Sequence, residues 1–383
     1  VRPSTPGFDF RVVARDGAAR TSVLRTPHGD VETPTFMPVG TKGSVKTLAP
    51  EEVASTGAQV VLGNTYHLML RPGADAVAAL GGLHEFTRWP RAMLTDSGGF
   101  QAYSLGASAG AALVDQAEEG FVFKSYIDGS AHSLTPERAV RIQSSLGADI
   151  QMQLDICAPG DAPRDAVERA VARTTRWARR ALATERRERQ ALFGIVQGAC
   201  FVDLRLAHAA ELGALPFDGL ALGGFSVGEP NERMHETLGA VASSLDPERP
   251  RYLMGVGTPR DLVRAIGQGV DMFDCVLPTR NARNGQALTR QGRIVIKNAR
   301  WRDDSRPIDP RCACACCAGG FSRAYLRHLY LSGEILSLRL LSLHNLHWYG
   351  ELTRAARAAI AEGRFASWAR TVLFDMHEEA GVA

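Results

Sequence analysis

No uninterrupted apolar stretch in this 383-residue chain reaches the roughly 18 to 20 residues a helix needs to cross a bilayer, and the amino terminus carries no charged-then-apolar leader pattern. Both absences lead us to expect a cytoplasmic protein with no membrane partner. Charge of one sign is also lacking in bulk. The formal net charge is only +3, so the chain is no uniformly basic nucleic-acid coat, and any contact with a polyanion has to come from a local patch. Cysteine is sparse and unevenly placed: of seven, Cys157, Cys200 and Cys275 are scattered, while Cys312, Cys314, Cys316 and Cys317 fall within six positions. Disulfide frameworks spread their cysteines along a chain, so this spacing argues against one and suits metal binding in a reducing compartment. No glycine-rich dinucleotide fingerprint follows an early strand, which counts against an open doubly wound sheet.

What the chain does have is a regular alternation. Eight short apolar runs end in glycine or a polar residue: Thr35 to Gly40, Gln59 to Asn64, Ala92 to Asp96, Asp149 to Asp155, Leu192 to Gln197, Gly219 to Gly224, Tyr252 to Val256 and Val270 to Asp274. Helical patterns fill the intervals, among them Pro50 to Thr56, Arg164 to Arg187, Asn231 to Ser244 and Pro259 to Gly267. Buried strands alternating with helices predict an α/β fold of the (β/α)8 TIM-barrel type. The interval between Asp96 and Asp149 is longer than one helix needs, and the alternation from Phe121 to Leu134 around Asp128-Gly129 predicts a hairpin insertion near residues 112–135. A second hairpin is expected over Ala287 to Lys297, followed by the cysteine cluster and a helical tail from Ser322 to Met376. The expected organisation is a barrel over residues 1–286 and a zinc-binding subdomain with packing helices over residues 287–383.

In a closed parallel barrel the C-terminal strand ends meet at one mouth. Asn64, Asp96, Asp155, Gln197, Gly223, Gly224 and Asp274, scattered over more than 200 residues, would form a single polar site there. Two carboxylates can divide glycosidic chemistry, one attacking the anomeric carbon and the other protonating the leaving group, provided their surroundings separate their pKa values. Asp274 is followed within nine residues by Arg280 and Arg283, which are expected to keep it ionised and which suit a phosphate-bearing substrate. Asp96 lies in Thr95-Asp96-Ser97-Gly98-Gly99-Phe100-Gln101, where small residues admit a substrate and Phe100 can stack on a flat ring. Asp155, Gln197 and the amides around Gly223 and Gly224 offer the mixed donors and acceptors that the edge of a purine-like base requires. The stretch Arg164 to Arg189 holds nine arginines against four acids, and on an outer barrel helix it reads as a solvated face more readily than as an RNA site.

Cys312-x-Cys314-x-x-Cys317 supplies three thiolates, and a tetrahedral zinc needs one more ligand. His344, expected at the start of a helix from Leu343 to Ile360, would clip the loop to the packed tail; His347, His328 and Cys316 stay open as alternatives. Four protein ligands leave no position for water, so such a zinc would be structural.

These residues resemble a known family. Asn64-Thr65-Tyr66-His67-Leu68, Asp96-Ser97-Gly98-Gly99-Phe100-Gln101, Gly194-Ile195-Val196-Gln197-Gly198, Leu222-Gly223-Gly224, Met254-Gly255-Val256-Gly257 and the Asp274 run with Thr279 to Gly285 are similar to tRNA-guanine transglycosylase, also called queuine tRNA-ribosyltransferase, of the bacterial type. The likeness runs in order from about Thr33 to Tyr349, and the cysteine motif followed by His344-Asn345 resembles that family's zinc subdomain. The resemblance implies that Asp274 attacks C1′ of the wobble guanosine of a tRNA to form a covalent enzyme–RNA intermediate, with Asp96 as general acid and then general base. It places Asp155, Gln197, Gly223 and Gly224 on the base edge and Phe100 on the base face. By the same resemblance Gly255, Val256, Gly257, Thr258, Pro259, Arg260 and Asp261, with Thr279, Arg280, Asn281, Ala282 and Arg283, contact the tRNA, whose target base leaves the stack. A homodimer is implied as well, one subunit doing chemistry while the other helps hold the tRNA.

The incoming 7-deazaguanine base is expected to be preQ1, because Cys157 and Val227 resemble the preQ1-inserting bacterial members and queuine users tend to have glycine where Val227 stands. Gln151-Met152-Gln153-Leu154-Asp155 looks more like the queuine users, and Ile156 replaces an acidic residue usual in preQ1 users. Queuine insertion is therefore the alternative. A non-catalytic, zinc-bearing tRNA-binding subunit is the rival from another class, and it would be expected to lack the acid pair present here.

Overall fold

The computed structural model describes residues 5–102, 115–116, 118–290 and 292–376. Its centre is a ring of parallel strands: β1 (Thr35–Met37, continued past Pro38 by Val39–Gly40), β2 (Val60–Gly63), β3 (Ala92–Thr95), β4 (Ile150–Met152), β5 (Ala191–Val196), β6 (Gly219–Leu222), β7 (Arg251–Leu253) and β8 (Met272–Asp274). Each expected run overlaps one of them, with β5 and β7 beginning one residue earlier than expected. The ring closes through β1, whose first half pairs with β8, Asp274 opposite Met37, and whose second half pairs with β2, Val39 opposite Leu62. Pro38 has no N–H for the ladder, yet its carbonyl accepts from the Leu62 amide at 3.0 Å, so the interruption costs little.

Side chains alternate between the inside of the ring and the helix layer. Met37, Leu62, Leu94, Ile150, Met152, Phe193, Ile195, Tyr252 and Met272 fill the interior, each apolar one contributing about 1.5 to 3 kcal/mol by leaving water. Leu192, Val196, Leu220 and Leu222 point the other way and pack with Leu212, Leu238 and Leu262 of the surrounding helices. The barrel is thus solid, and any chemistry is confined to its mouth.

An N-terminal antiparallel sheet of Asp9–Asp16, Ala19–Thr26 and Gly29–Thr33 plugs the opposite end. The sequence reading misses it because charged residues interrupt its apolar alternation. Leu24 and Val31 extend the interior core. The fully buried Arg20 guanidinium bonds both oxygens of Asp271, at 2.9 and 2.5 Å, and the carbonyls of Pro247 and Arg249. Between β3 and β4, Asp115–Gln116, Phe121–Lys124 and Ala131–Leu134 form a three-stranded antiparallel sheet, one strand more than a hairpin. Residues 103–114 and 117 of that insertion lie outside the described residues.

The arginine-rich helix runs Arg164–Ala183, and most of its cations are engaged: Arg164 with Glu168 and Asp203, Arg169 with Asp165, Arg173 and Arg176 with Glu118, Arg180 with Glu137. After β8 come the hairpin Gln286–Thr289/Gly292–Val295, the cysteine loop, and helices Arg323–Leu331, Ile335–Ala361 and Phe365–Asp375. The helix expected to start at Leu343 begins instead at Ile335, because Ile335, Leu336, Leu338 and Leu340 extend the apolar pattern back to Gly333, whose φ of +74° ends the preceding helix. His344 therefore lies well inside a helix. Among the described residues no helix is long and apolar enough to cross a membrane.

A carboxylate also ties the N-terminal sheet to the barrel floor. Asp149 bonds His28 Nδ1 at 2.6 Å and His84 Nε2 at 3.1 Å, accepts from the Met93 amide at 2.8 Å, and the two imidazoles stack 3.5 Å apart. The bond to Asp149 raises the pKa of His28 above its usual 6.5, against burial and the charge of Arg189. Burial works against an ionised Asp149, but the bonds from both histidines hold it below the ordinary carboxylate range. A raised histidine pKa stabilises fully below pH 6.5 and the benefit is lost as pH climbs through the folded value. His28 is partly exposed, so His28→Ala should cost at most about 1 kcal/mol at pH 6 and less at pH 9. Urea denaturation at the two pH values measures this, and equal losses at both would contradict the clip.

Candidate active site and metal centre

Three carboxylates meet at the mouth. Asp96 follows β3 directly, Asp155 follows β4, and Asp274 ends β8. The Thr65 amide donates to Asp96 Oδ1 at 2.7 Å and Asn64 Nδ2 to Oδ2 at 2.5 Å, while Asn64 Oδ1 caps the helix Thr65–Leu70 by accepting from the His67 amide. Burial raises the pKa of Asp96, the Thr65 amide opposes it, and the charge of Asp274 raises it again, leaving it at about 7. Asp274 Oδ1 accepts from the Tyr252 hydroxyl at 2.6 Å and the Gly255 amide at 2.8 Å. Burial raises its pKa too, and those two bonds favour the ionised form.

The expectation that Arg280 and Arg283 keep Asp274 charged is corrected here. Both lie on the helix Leu277–Arg283 leading away from the strand end, and neither pairs with Asp274. The bonds that favour its ionised form come from Tyr252 and Gly255 instead, and Tyr252 is absent from the sequence-derived site. The signal available was a tyrosine within a buried strand, whose hydroxyl needs a partner.

On the recognition side, Gln197 Nε2 donates to Asp155 Oδ2 at 2.6 Å. Burial raises Asp155 to about 6, with Gln197 and Ser97 opposing. Gly224 has φ +68°, and a Cβ there would sit 2.2 Å from Gln197 Oε1, so both conformation and space require glycine. Gly223 is equally confined against Gln197 and Ile195. Val227 is half-buried; its amide donates to Glu229 at 3.0 Å and its carbonyl accepts from Gly160 at 3.2 Å, which fixes it against the loop carrying Cys157. Phe100 is exposed just beyond Gly98, where a Cβ would meet the Tyr66 amide at 3.0 Å.

Of the expected tRNA-contacting residues, Gly255, Thr258 and Arg280 are exposed, and Pro259, Arg260, Asn281 and Arg283 are half-buried. Val256, Gly257, Asp261, Thr279 and Ala282 lie beneath them. The Asp261 carboxylate is committed to His235, Asn231 and Thr258, so it anchors this loop from inside. Arg283 Nη1 is buried without a partner among the described residues, and burial followed by the charge of Arg280 lowers its pKa. Two cations with a donor to spare suit an anion.

A family model described as Queuine tRNA-ribosyltransferase matches residues 16–378. The chain is 69% identical to the queuine tRNA-ribosyltransferase of Sorangium cellulosum (strain So ce56), over 96% of this chain and 92% of that one. It is 53% identical to that of Nitratidesulfovibrio vulgaris (strain DP4), over 96% and 97% of the two chains. This chain belongs to the queuine tRNA-ribosyltransferase family and is an enzyme.

In this family member a second cluster stands away from the mouth. The sulfurs of Cys312, Cys314 and Cys317 lie 3.6, 3.4 and 3.4 Å from His344 Nδ1. A tetrahedral ion with bonds of about 2.3 Å to sulfur and about 2.0 Å to nitrogen has edges of about 3.5 Å, so the four residues fit a metal. His344 Nε2 bonds the Leu288 carbonyl at 2.6 Å, which fixes the ring and leaves Nδ1 as the ligand. Cys316, His347 and His328 are not part of the cluster. From the same helix, Asn345 bonds Pro278, Gln286 and Leu288, and the Tyr349 hydroxyl bonds the Gly257 carbonyl at 2.5 Å. The Cys3His cluster, the arginine-bearing helix and the loop at Gly255 to Asp261 are thus fastened to one another. Cys314→Ser should reduce bound metal from about one ion per chain to almost none and lower the melting temperature by several degrees. Elemental analysis with calorimetry checks this, and full metal retention would contradict the assignment.

Proposed function

We propose that this enzyme replaces guanine at the wobble position of tRNA with preQ1 through two displacements at one ribose carbon. The observation that carries the reading is the unequal support of its two acids: Asp96 is raised to about 7, whereas one oxygen of Asp274 accepts from both the Tyr252 hydroxyl and the Gly255 amide, bonds that favour its ionised form. Both bonds fall on Asp274 Oδ1, which leaves Oδ2 free to attack C1′. As that bond forms, the bond to guanine N9 breaks and the Asp96 proton passes to the leaving base. Asp96, now a carboxylate, takes the proton from the incoming base, which attacks C1′ and releases Asp274 with configuration retained.

Asp155, Gln197, Gly223 and Gly224 bind the base edge and Phe100 its face, while Val227 limits the size of the 7-position substituent and favours preQ1 over queuine. The stretch Gly255 to Asp261 and the helix bearing Thr279 to Arg283 hold the tRNA backbone, the spare donor on Arg283 meeting a phosphate. The metal is a structural Zn2+ on Cys312, Cys314, Cys317 and His344. The protein acts in the cytoplasm as a homodimer, for which exposed Tyr325, Leu331, Ile335 and Leu336 at one helix junction supply an apolar surface. The intact acid pair disfavours the reading as a non-catalytic tRNA-binding subunit.

Mass spectrometry of nucleosides from unmodified tRNA incubated with equal preQ1 and queuine tests this. PreQ1 should appear at the wobble position, and Asp274→Asn should lose about 10⁴-fold or more in rate. Queuine incorporation would overturn the size limit set by Val227, and no exchange would overturn the reaction. The profile of kcat/KM against pH should be a bell, because Asp274 must be ionised and Asp96 protonated, with its alkaline limb near 7. Tyr252→Phe removes a donor to the ionised form, raises the pKa of Asp274 and should move only the acid limb upward. An unmoved acid limb would contradict the role of Tyr252.

A further inference from the structure

We propose that Arg205 is a positioning residue that sets the distance between the two halves of the base-recognition edge; this rests on the base-exchange reading above. Arg205 extends from the helix Val202–Gly213 and is fully buried. Among the described residues no carboxylate forms an ion pair with it. Its donors go to backbone carbonyls: Nε to Ala199 at 2.5 Å, Nη1 to Val196 at 3.3 Å, and Nη2 to Gly223 at 2.8 Å and Gly224 at 3.1 Å. Those carbonyls belong to the end of β5 with the loop that follows it, which carries Gln197, and to the loop after β6 that carries the paired glycines. The Phe225 ring covers the guanidinium at 3.7 Å, as a cation-π contact. Gly198 makes room for the stem, since a Cβ there would lie 2.6 Å from Arg205 Cγ.

One turn along the same helix, His208 Nδ1 accepts the Gln197 amide at 2.9 Å. Burial lowers the pKa of His208 to about 4, so at neutral pH the ring is neutral and able to accept. Burial also lowers Arg205, to about 10, which still leaves it charged. A planar fork with five N–H groups can bridge two loops at once, whereas a lysine ammonium presents its donors from one point. The pair Arg205 and His208 therefore holds Gln197 and the Gly223-Gly224 turn in mutual register without touching the base.

The test is steady-state exchange by Arg205→Lys and by His208→Leu, with the active fraction counted as enzyme trapped covalently on tRNA in denaturing gels. Losing one or two charge-assisted bonds in Arg205→Lys, or the acceptor of the buried Gln197 amide in His208→Leu, should raise KM for the free base by about tenfold or more, with kcat per active site and KM for tRNA within about threefold of the parent enzyme. Loss of trapped enzyme with an unchanged base KM would mean a merely structural role and overturn the proposal. Should Arg205→Lys fail to fold, His208→Leu decides by the same two readouts. If the parent enzyme itself exchanges no base, the base-exchange reading fails, and the proposal with it.

Discussion

The mouth of this barrel depends on holding three carboxylates together where water solvates them poorly. Ring closure brings the ends of β3, β4 and β8 to one place, and the cost of burying charge then decides the state of each acid. Asp96 has only amide donors and a like charge nearby, so its proton is retained to about 7. Asp274 has a tyrosine hydroxyl and an amide on one oxygen, so its charged form is the better supported. Asp155 shares a bond with Gln197 and is raised by burial to about 6. One scaffold thereby gives a single residue type three different environments at the mouth.

The remainder of the fold keeps that arrangement from relaxing. At the far end, the buried pair Arg20–Asp271 and the Asp149 clip fasten the N-terminal sheet beneath the barrel. Removing either partner of such a buried pair strands a charge, at about 3 to 5 kcal/mol. On the C-terminal side the helix Ile335–Ala361 reaches from the cysteine cluster to the loop at Gly257 and the helix bearing Arg280 and Arg283. The Cys3His cluster thus helps decide where the helix bearing Arg280 and Arg283 sits.

Much of this was legible in the sequence. Eight apolar runs with polar ends led to the barrel, because burial on both faces leaves few other uses for such segments, and the strand-end rule collected Asp96, Asp155, Gln197 and Asp274 before any coordinates. The three cysteines were legible from spacing and His344 only as the first choice among four candidates for the last ligand, and the start of the helix carrying His344 was not legible, since nothing local stops an apolar helix pattern short of Gly333. What escaped were residues whose work lies in tertiary contacts. Tyr252 looks like any buried strand aromatic, Arg205 like an ordinary helix cation, and the charges of the N-terminal sheet hid strands whose faces differ only once packed. The error about what keeps Asp274 ionised has the same origin, because nearness along the chain stood in for nearness in space.

The central claim is that environment, not residue type, assigns the two acids their roles. Carbon-13 NMR titration of aspartate-labelled enzyme, with Asp96→Asn and Asp274→Asn to assign the signals, measures it most directly. Asp96 should titrate near 7 and Asp274 below it. An Asp274 carboxyl that holds its proton to higher pH than Asp96 would contradict the account.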